Sequence, residues 1–505
     1  MKSRVVDDAI RTSAGFLRWY VDKGAVPYGD HDPWPWHEDN GKCSAAAVLF
    51  DLLGDREAAT YFTRMAIAAW GERESGHTGN FFNHLWAFPG VSRGGPEATA
   101  AYMAEAGWEL DFARGFDGGL HYQQTAAMRG DDSYDGWDCT GAYGLAFALP
   151  LKKIVLTGKR PTVVEPIVGD GLRETIEAGR NFDYWTEKNP YAERSTEPLM
   201  AGLRSWSPAV RTRSAAALAT KDEDLTTSLL AVLASQERFA RYGAAEALAR
   251  RGKKSDAAAD ALRALLASDD PWLRILGAQA LAELGPEERT KSIPALLVAA
   301  NEAVAADPRR RVASAIGEAL FATAPGKSGP EAILKKSLAG VDRPALYKAV
   351  RALLTNEDGR IRGYVSPTLK LLDDADLAEL LPDLVLAFTK RPPSGQMFAY
   401  DIRMAGAELL ARRSIAEGME IAMVLLNEDE WGRDFDRAAR ALLFYGKEAR
   451  VMLPRLESET RAIVEKRNDP KQKQAFAKLL QDLQSAPSGV TLVTVEQFRA
   501  QHRAK

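Results

Sequence analysis

The sequence predicts an all-α protein in which a helical domain with long polar loops precedes an α-solenoid built from helical hairpins. Two patterns carry this prediction. Apolar residues recur at helical spacing along most of the chain, and in its second part an arginine repeatedly stands seven residues before a leucine. A third observation separates the two parts, since five of the six histidines and eight of the eleven tryptophans lie within the first 190 residues.

Composition limits the classes of function. The chain has 505 residues, which corresponds to about three domain-sized units. Its net charge of −3 gives no basic footprint, so we expect no nucleic-acid partner. No apolar run is long enough to span a membrane. The first residues lack an apolar signal core, so we expect a cytoplasmic protein, or a secreted or periplasmic one if a signal segment precedes this sequence.

The second part repeats one short pattern, in which small residues separate an arginine from a leucine two helical turns later. The pairs are Arg211 and Leu218, Arg241 and Leu248, Arg274 and Leu281, Arg362 and Leu369, and Arg403 and Leu410. These segments resemble HEAT repeats, in which such an arginine opens the second helix of each hairpin. The resemblance covers roughly residues 196 to 450 and implies an array that binds partners or braces a neighbouring domain. The alternative is a helical bundle without repeats.

Prolines and acidic residues mark the boundaries. Pro190 and Pro198 interrupt the helical pattern, so we divide the chain into 1–190, 191–456 and 457–505, the last being a C-terminal helix and tail. Ser207 and Asp270 each precede a proline and are expected to cap helices. The acidic clusters at 373–376 and 427–430 are interpreted as helix starts rather than metal sites. The strand-like run at 490–495 is expected to dock on the body of the protein.

The first part resembles a known class of helical toroid. The residues that carry the resemblance are Gly118-Gly119 with Tyr122-Gln123-Gln124, and the loop 134–139 that enters an Ala/Gly-rich helix. They are similar to the terpenoid-cyclase and prenyltransferase α/α-toroids. With the HEAT-like part, the chain resembles an uncharacterised bacterial family. The resemblance implies that helix ends and loops line a central cavity. It spans about 185 residues, so the ring is open, is completed by HEAT helices, or continues outside this sequence.

The catalytic motifs of those toroids are absent or altered. No D-x-D-D acid motif occurs, and the D-D-x-x-D match at 131–135 lies in a Gly-flanked loop. Prenyltransferases hold zinc with an Asp and a Cys one residue apart, whereas here Asp138 directly precedes Cys139. We therefore expect a buried, unreactive Cys139, predict no metal site and leave the cofactor unknown. Nucleotide-binding and serine-hydrolase motifs are also absent.

The loop at 28–40 has the densest set of chemical side chains. Tyr28, Asp30, His31, His37 and Asp39 are the candidate acid and base groups. Trp34 and Trp36 are candidate ligand-binding residues, because aromatic faces stack on sugar rings. The alternative is a structural loop whose tryptophans pack in the core and whose aspartates cap the next helix.

Three further segments supply candidates. Glycines bracket His77, beside the candidate ligand-binding residues Asn80 and Asn83, and His84 is expected in the core. His121 with Tyr122 suits the proton abstraction and return of a polysaccharide lyase, with Arg129 or Arg93 neutralising a uronate. Trp137 is a further candidate for ligand binding.

The sequence is compatible with two functions. The first is a binding or scaffold protein of unknown partner, with a ligand pocket in the N-terminal domain and a protein or a glycan as ligand. The alternative is a carbohydrate-active enzyme that uses lyase-like or hydrolase-like acid and base chemistry. The sequence leaves open whether the protein is catalytic, because no motif is specific for a reaction.

Overall fold

The protein is described here by a computed structural model that covers 3–29, 31–73, 81–122, 136–148, 161–180, 189–302, 307, 310–322, 331–394, 400–428, 435–486 and 489–503. The chain divides into two compact units, Met1–Arg251 and Gly252–Lys505. Within the described residues the regular structure is helical and the β-bridges are isolated. This confirms the all-α prediction. No helix of these residues is long and apolar enough to cross a membrane.

The first unit contains eleven α-helices among its described residues. They are α1 (Arg4–Arg18), α2 (Lys42–Leu53), α3 (Arg56–Ala68), α4 (Phe81–Val91), α5 (Pro96–Phe112), α6 (Thr140–Ala148), α7 (Gly169–Ala178), α8 (Thr196–Gly202), α9 (Pro208–Thr220), α10 (Thr226–Leu233) and α11 (Arg238–Arg251). Helix α2 packs against α3 and α4, and α9 packs against α11. The unit therefore joins the N-terminal helices to the first two HEAT-like hairpins.

One apolar core holds the N-terminal helices together. It takes Phe88 from α4, Tyr102 and Leu110 from α5, and Tyr143 from α6, all of them buried. Isolated bridges order the loops around it, and one of them pairs His121 with Asp138. Cys139 is buried in the same core, as expected, and its burial raises the pKa of the thiol.

The second unit continues the alternation of helices. Its α-helices are α12 (Ala259–Leu265), α13 (Pro271–Glu283), α14 (Pro286–Ala299), α15 (Arg311–Leu320), α16 (Arg343–Leu354), α17 (Gly359–Gly363), α18 (Asp374–Thr389), α19 (Tyr400–Arg412), α20 (Glu417–Glu428), α21 (Phe435–Leu443), α22 (Leu453–Arg455), α23 (Arg461–Arg467), α24 (Pro470–Ser485) and α25 (Val495–His502). Helices α12, α14, α16 and α18 form one layer. Helices α13, α15, α17, α19 and α21 form the other.

The repeated arginines cap the element that precedes their own helix. Arg211 donates to the carbonyls of Ser205, at 2.8 Å, and of Trp206, at 3.0 Å. Arg403 donates in the same way to the carbonyl of Phe388, at 2.8 Å. Arg274 and Arg362 donate to carbonyls six residues earlier in the chain. Carbonyls at helix ends and turns lack partners inside a helix, so these arginines supply them with donors, and the bonds to Trp206, Asn356 and Phe388 are buried. The paired leucines are buried in every copy.

Small residues let neighbouring helices approach closely. A Cβ added to Gly243 of α11 would lie 2.3 Å from the carbonyl oxygen of Leu203. Gly406 of α19 lies against the ring of Phe388 in the same way. Each glycine stands two or three residues after a repeated arginine, and this spacing explains the small residues seen in the sequence pattern.

The predicted helix starts are confirmed in three places and wrong in one. The side chains of Ser207, Asp270 and Asp373 each accept a backbone N–H in the first turn of their helices. At the cluster 427–430 the two described residues, Asn427 and Glu428, lie in the last described turn of α20 rather than at a helix start. A carboxylate is unfavourable at a helix C-terminus. Arg403 and Arg391 offset this by donating to Glu428, at 2.6 Å and 2.8 Å.

The strand-like run near the C-terminus docks on the second unit. Val493 forms a parallel bridge with Ile415. The N–H of Val493 donates to the carbonyl of Ser414, and the N–H of Ala416 donates to the carbonyl of Val493, both at 3.0 Å. Helix α25 follows directly and packs against α18.

The glycine contacts predict opposite effects for two helical substitutions. We expect Gly243→Ala to lower the free energy of unfolding by about 1–3 kcal/mol, because the added methyl group meets backbone that has no room to move. Gly15→Ala in α1 meets nothing within 4 Å and is expected to raise it by about 0.5–1 kcal/mol. Urea unfolding followed by tryptophan fluorescence measures both, since nine of the eleven tryptophans lie in the first unit. Equal effects of the two substitutions would contradict the close approach of α11.

Candidate functional site

Buried charges form the centre of a polar cluster in the first unit. Glu38, Glu72 and Arg73 have at most 1 % of their surface exposed. We call these three residues, with His37 and Asn83, the Arg73 cluster. Burial of charge is costly unless each ion is paired and hydrogen-bonded, so the arrangement of partners decides whether this cluster is stable.

Glu38 caps the start of α2. One of its carboxylate oxygens accepts the N–H of Cys43 at 2.8 Å, and the other accepts the N–H of Ser44 at 2.9 Å and its hydroxyl at 2.6 Å. These N–H groups belong to the first turn of the helix, where no intrahelical partner exists. Gly41 precedes the helix with φ +74°, and a Cβ there would lie 2.3 Å from the carbonyl oxygen of Phe82. The cap therefore requires a glycine at this position.

Arg73 uses its whole guanidinium group. It donates to the hydroxyl of Tyr102 at 2.9 Å, to Oδ1 of Asn83 at 2.8 Å and to the carbonyl of Ala66 at 2.6 Å. Its Nη1 lies 3.5 Å from the Glu38 carboxylate. Burial, the largest effect, raises the pKa of Tyr102 to about 12 although Arg73 opposes the shift, so this phenol stays protonated at neutral pH.

The cluster fixes both flanks of the segment 74–80. Arg73 stands immediately before this segment, and Asn83 lies in the first turn of α4 immediately after it. The side-chain amide of Asn83 donates to the carbonyl of Glu72 at 3.0 Å, while Arg73 donates back to Asn83. The described residues on either side of the segment are therefore tied to each other through buried side chains.

Glu72, His37 and Ser207 are connected in the order of a catalytic triad. Nδ1 of His37 lies 2.6 Å from Oε1 of Glu72, and Nε2 lies 2.8 Å from the hydroxyl oxygen of Ser207. A carboxylate only accepts hydrogen bonds, so Nδ1 of His37 carries a proton and donates it to Glu72. Ser207 is fully buried and already caps α9 by accepting the N–H of Val210. A nucleophile must be accessible to its substrate. Because Ser207 is buried, we interpret this connection as a structural link between the 28–40 loop and the start of α9.

Other contacts also link the N-terminal segment to α9 and α11. Arg211 of α9 donates to the backbone carbonyl of Asp22, and Arg238 of α11 pairs with the Asp22 carboxylate. The guanidinium of Arg64 lies 3.9 Å from the ring centre of Trp206. The N-terminal segment is thus attached to the first HEAT-like hairpins through charged and aromatic side chains.

The loop at 28–40 has an exposed part and a buried part. Tyr28 and His31 are exposed, and the rings of Trp34 and Trp36 lie 4.8 Å apart in a half-buried position. By contrast, His37 and Asp39 are buried, and Asp39 pairs with Lys42. Asp30 lies outside the described residues. The predicted acid and base groups therefore occupy two different environments, one exposed and one buried.

The remaining candidate site residues also differ in their burial. His77, Asn80 and the acidic match at 131–135 lie outside the described residues. Asn83 is buried in the Arg73 cluster, and His84 is buried with its Nε2 3.2 Å from Glu109. Tyr122 is buried, whereas Trp137, whose carbonyl accepts the Tyr122 N–H at 2.9 Å, is half exposed. Nε2 of His121 lies 3.3 Å from Asp117. In the described part of the chain no group of three or more His, Cys, Asp or Glu residues is arranged to hold a metal ion.

Sequence reasoning missed Glu38, Glu72, Arg73 and Ser207 as one cluster. A signal for Glu38 was present, because a carboxylate shortly before an Ala-rich helix is a capping pattern. No signal connected Ser207 to the loop, since 170 residues separate it from His37.

Comparisons with known proteins match two segments. Residues 1–158 match a domain of unknown function, DUF6288, and residues 196–282 match HEAT repeats. The HEAT resemblance is therefore confirmed over the first repeats of the array. No curated protein matches the chain.

Removing Arg73 should be far more costly than removing an exposed arginine. We expect Arg73→Leu to lower the free energy of unfolding by about 3–5 kcal/mol, because the acceptors it leaves behind are buried. Arg180→Leu is the control, since Arg180 pairs with Glu105 and Glu177 at the surface and should cost at most about 1 kcal/mol. Urea unfolding by tryptophan fluorescence gives both values. Similar losses for the two variants would contradict the role assigned to the cluster.

Proposed function

We propose that the protein is a binding or scaffold protein whose HEAT-like array presents an extended surface to a partner. The observation that supports this most directly is the use of the repeated arginines. Where their contacts are seen, they cap helix ends and turns, so the array is built for packing along its length. Repeats of this kind contact their neighbours and leave long surfaces for recognition.

The ligand pocket of this proposal belongs to the N-terminal part of the first unit. Its exposed candidates are Tyr28 and His31, which share a loop with the paired rings of Trp34 and Trp36. Aromatic rings with adjacent hydrogen-bonding groups suit a glycan or an aromatic-rich protein segment. Asn83 and His37 act in this proposal as positioning residues that hold the surrounding loops.

The proposal includes the toroid-like arrangement of the N-terminal helices. Among the possibilities for an incomplete ring, completion by HEAT-like helices has support from the contacts of α9. The His37–Ser207 hydrogen bond and the Arg211–Asp22 contact both attach α9 to the N-terminal segment. A ring closed in this way would need residues 1–251 to fold as one unit.

A binding experiment tests this function and identifies the surface involved. The tagged full chain would be cross-linked in its native host, and each recovered complex would be remade from purified components. Glycan ligands would be sought on a glycan array. We expect a true ligand to lose about tenfold or more in affinity with Tyr28→Ala/Trp34→Ala, or with Val298→Asp/Leu386→Asp on exposed positions of α14 and α18.

The two double variants control for each other, because they lie in different units. A ligand that is insensitive to both, or the absence of any complex that survives reconstitution, would contradict the proposal.

A carbohydrate-active enzyme is the second candidate. The observation that favours it is the exposed imidazole of His31 in the same loop as Trp34 and Trp36, whose ring centres lie 4.8 Å apart. The geometry weighs against an acidic substrate at His121, because Asp117 and Asp138 flank this histidine and would repel a uronate. Arg93 is engaged with Asp51 at 2.9 Å. A neutral glycan at the 28–36 loop is therefore the better form of this alternative.

Product assays distinguish this alternative from binding. The purified protein would be incubated with neutral and acidic polysaccharides, and new reducing ends and unsaturated uronate would be measured. Hydrolysis at the loop predicts reducing ends that His31→Ala abolishes and His121→Ala leaves unchanged. Unsaturated uronate lost in His121→Ala would instead restore the lyase hypothesis. Folded protein that forms no product on any substrate would contradict the enzyme.

A further inference from the structure

Exposed aromatic rings gather at one edge of the first unit. The exposed fraction is 56 % for Trp108, 66 % for Phe112, 107 % for Phe116 and 47 % for Phe147. Isolated apolar residues on a surface are ordinary, whereas a group of large ones marks an interaction site. We call these four residues, with Asp111, Asp117 and Asp138, the aromatic–acidic patch.

Local structure places three of the aromatic residues on one stretch of chain, at the end of α5 and in the turn that follows it. Trp108 and Phe112 are one turn apart on α5, on the face opposite Tyr102 and Leu110, which enter the core. Phe116 stands in the tight turn that follows, where the N–H of Gly115 donates to the carbonyl of Gly119 at 2.8 Å.

Arg114 connects this turn to α6. Its guanidinium lies 5.4 Å from the ring centre of Phe147, in the range of a cation–π contact. The surface thus already holds one cation against an aromatic ring. The remaining exposed rings offer the same kind of face.

Three exposed carboxylates belong to the same segments as the rings. Asp111 lies on α5 and is 4.0 Å from Arg114. The pKa of Asp117 is lowered by the N–H of Gly119 and then by His121, and the pKa of Asp138 is lowered by hydrogen bonds from Thr140. Asp117 and Asp138 are therefore ionised at neutral pH. One arginine and one partly exposed histidine leave the patch negative.

We propose that the aromatic–acidic patch docks a basic amphipathic segment of a partner protein. The lysines or arginines of such a segment would lie on the aromatic faces and near the carboxylates, and its apolar side chains would cover Trp108, Phe112 and Phe116. The negative charge disfavours nucleic acid, anionic lipid and acidic glycans. This inference does not depend on the HEAT-like array or on the 28–36 loop.

Synthetic helical peptides test the proposal on the full chain. The probe is an amphipathic Leu/Lys peptide, and its matched control is the same peptide with Glu in place of Lys. Calorimetry and tryptophan fluorescence measure binding. We expect the Leu/Lys peptide to bind and the Leu/Glu peptide to fail, with affinity that falls as salt rises.

Variants of the patch identify the surface. Trp108→Ser/Phe112→Ser should weaken binding about tenfold or more, and Asp111→Asn/Asp117→Asn about threefold or more. Helix α1 supplies matched controls, since Val5, Val6 and Asp8 are exposed in the same unit. Val5→Ser/Val6→Ser and Asp7→Asn/Asp8→Asn should change affinity less than about twofold.

Three outcomes would overturn the proposal. Equal effects of the patch and α1 variants would mean that the peptide binds by unspecific charge attraction. Binding of the Leu/Glu peptide or of neutral oligosaccharides at the patch would assign it a different ligand. Light scattering that shows self-association lost in Trp108→Ser/Phe112→Ser would make a second copy of the chain the occupant.

Discussion

The buried pair of Glu38 and Arg73 is the constraint on which the first unit depends. Neither side chain reaches water, and an unpaired ion in that position would cost several kcal/mol, so every neighbouring donor and acceptor must be placed to satisfy them. Glu38 is satisfied by the start of α2, and Arg73 by Tyr102 of α5 and Asn83 of α4. Three helices are therefore oriented by one pair of charges. The adjacent Glu72 extends the same network through His37 to Ser207 at the start of α9.

The repeats use arginine side chains to supply hydrogen bonds to carbonyls that would otherwise lack partners. Each hairpin ends a helix inside the array, where carbonyls lack partners, and a planar guanidinium reaches such carbonyls while its stem packs among apolar groups. Arg211 and Arg403 are almost fully buried in this role. Lysine would supply a point charge with stronger hydration and a poorer fit to two carbonyls. The small residues at Gly243 and Gly406 follow from the same packing, because a side chain there would meet the backbone of Leu203 or the ring of Phe388.

Several of the side chains that suggest chemistry are buried and contribute to the fold. His37, Asp39 and Asn83 support the fold, and the serine that completes the triad-like chain is a helix cap. The surfaces suited to binding are instead those on which apolar side chains are exposed to water. The rings near Tyr28 and the aromatic–acidic patch both expose surface that folding of this unit does not cover, and binding is the process that would remove it from water. Both surfaces lie on the first unit, beside loops held by bridges and buried polar contacts.

Local patterns in the sequence determined the helices, the repeat and several caps. Ser207, Asp270 and Asp373 act on the turn that follows them, so neighbouring residues were sufficient to predict their roles. The same logic failed at Glu428, which lies in the last described turn of α20 and accepts hydrogen bonds from arginines 25 and 37 residues away. His31 and His37 show the limit most clearly. They share one loop and similar neighbours, yet one is exposed and the other is fully buried. Only the tertiary structure decided this, because Glu72 and Ser207 reach His37 from 35 and 170 residues away, and burial depends on such distant partners.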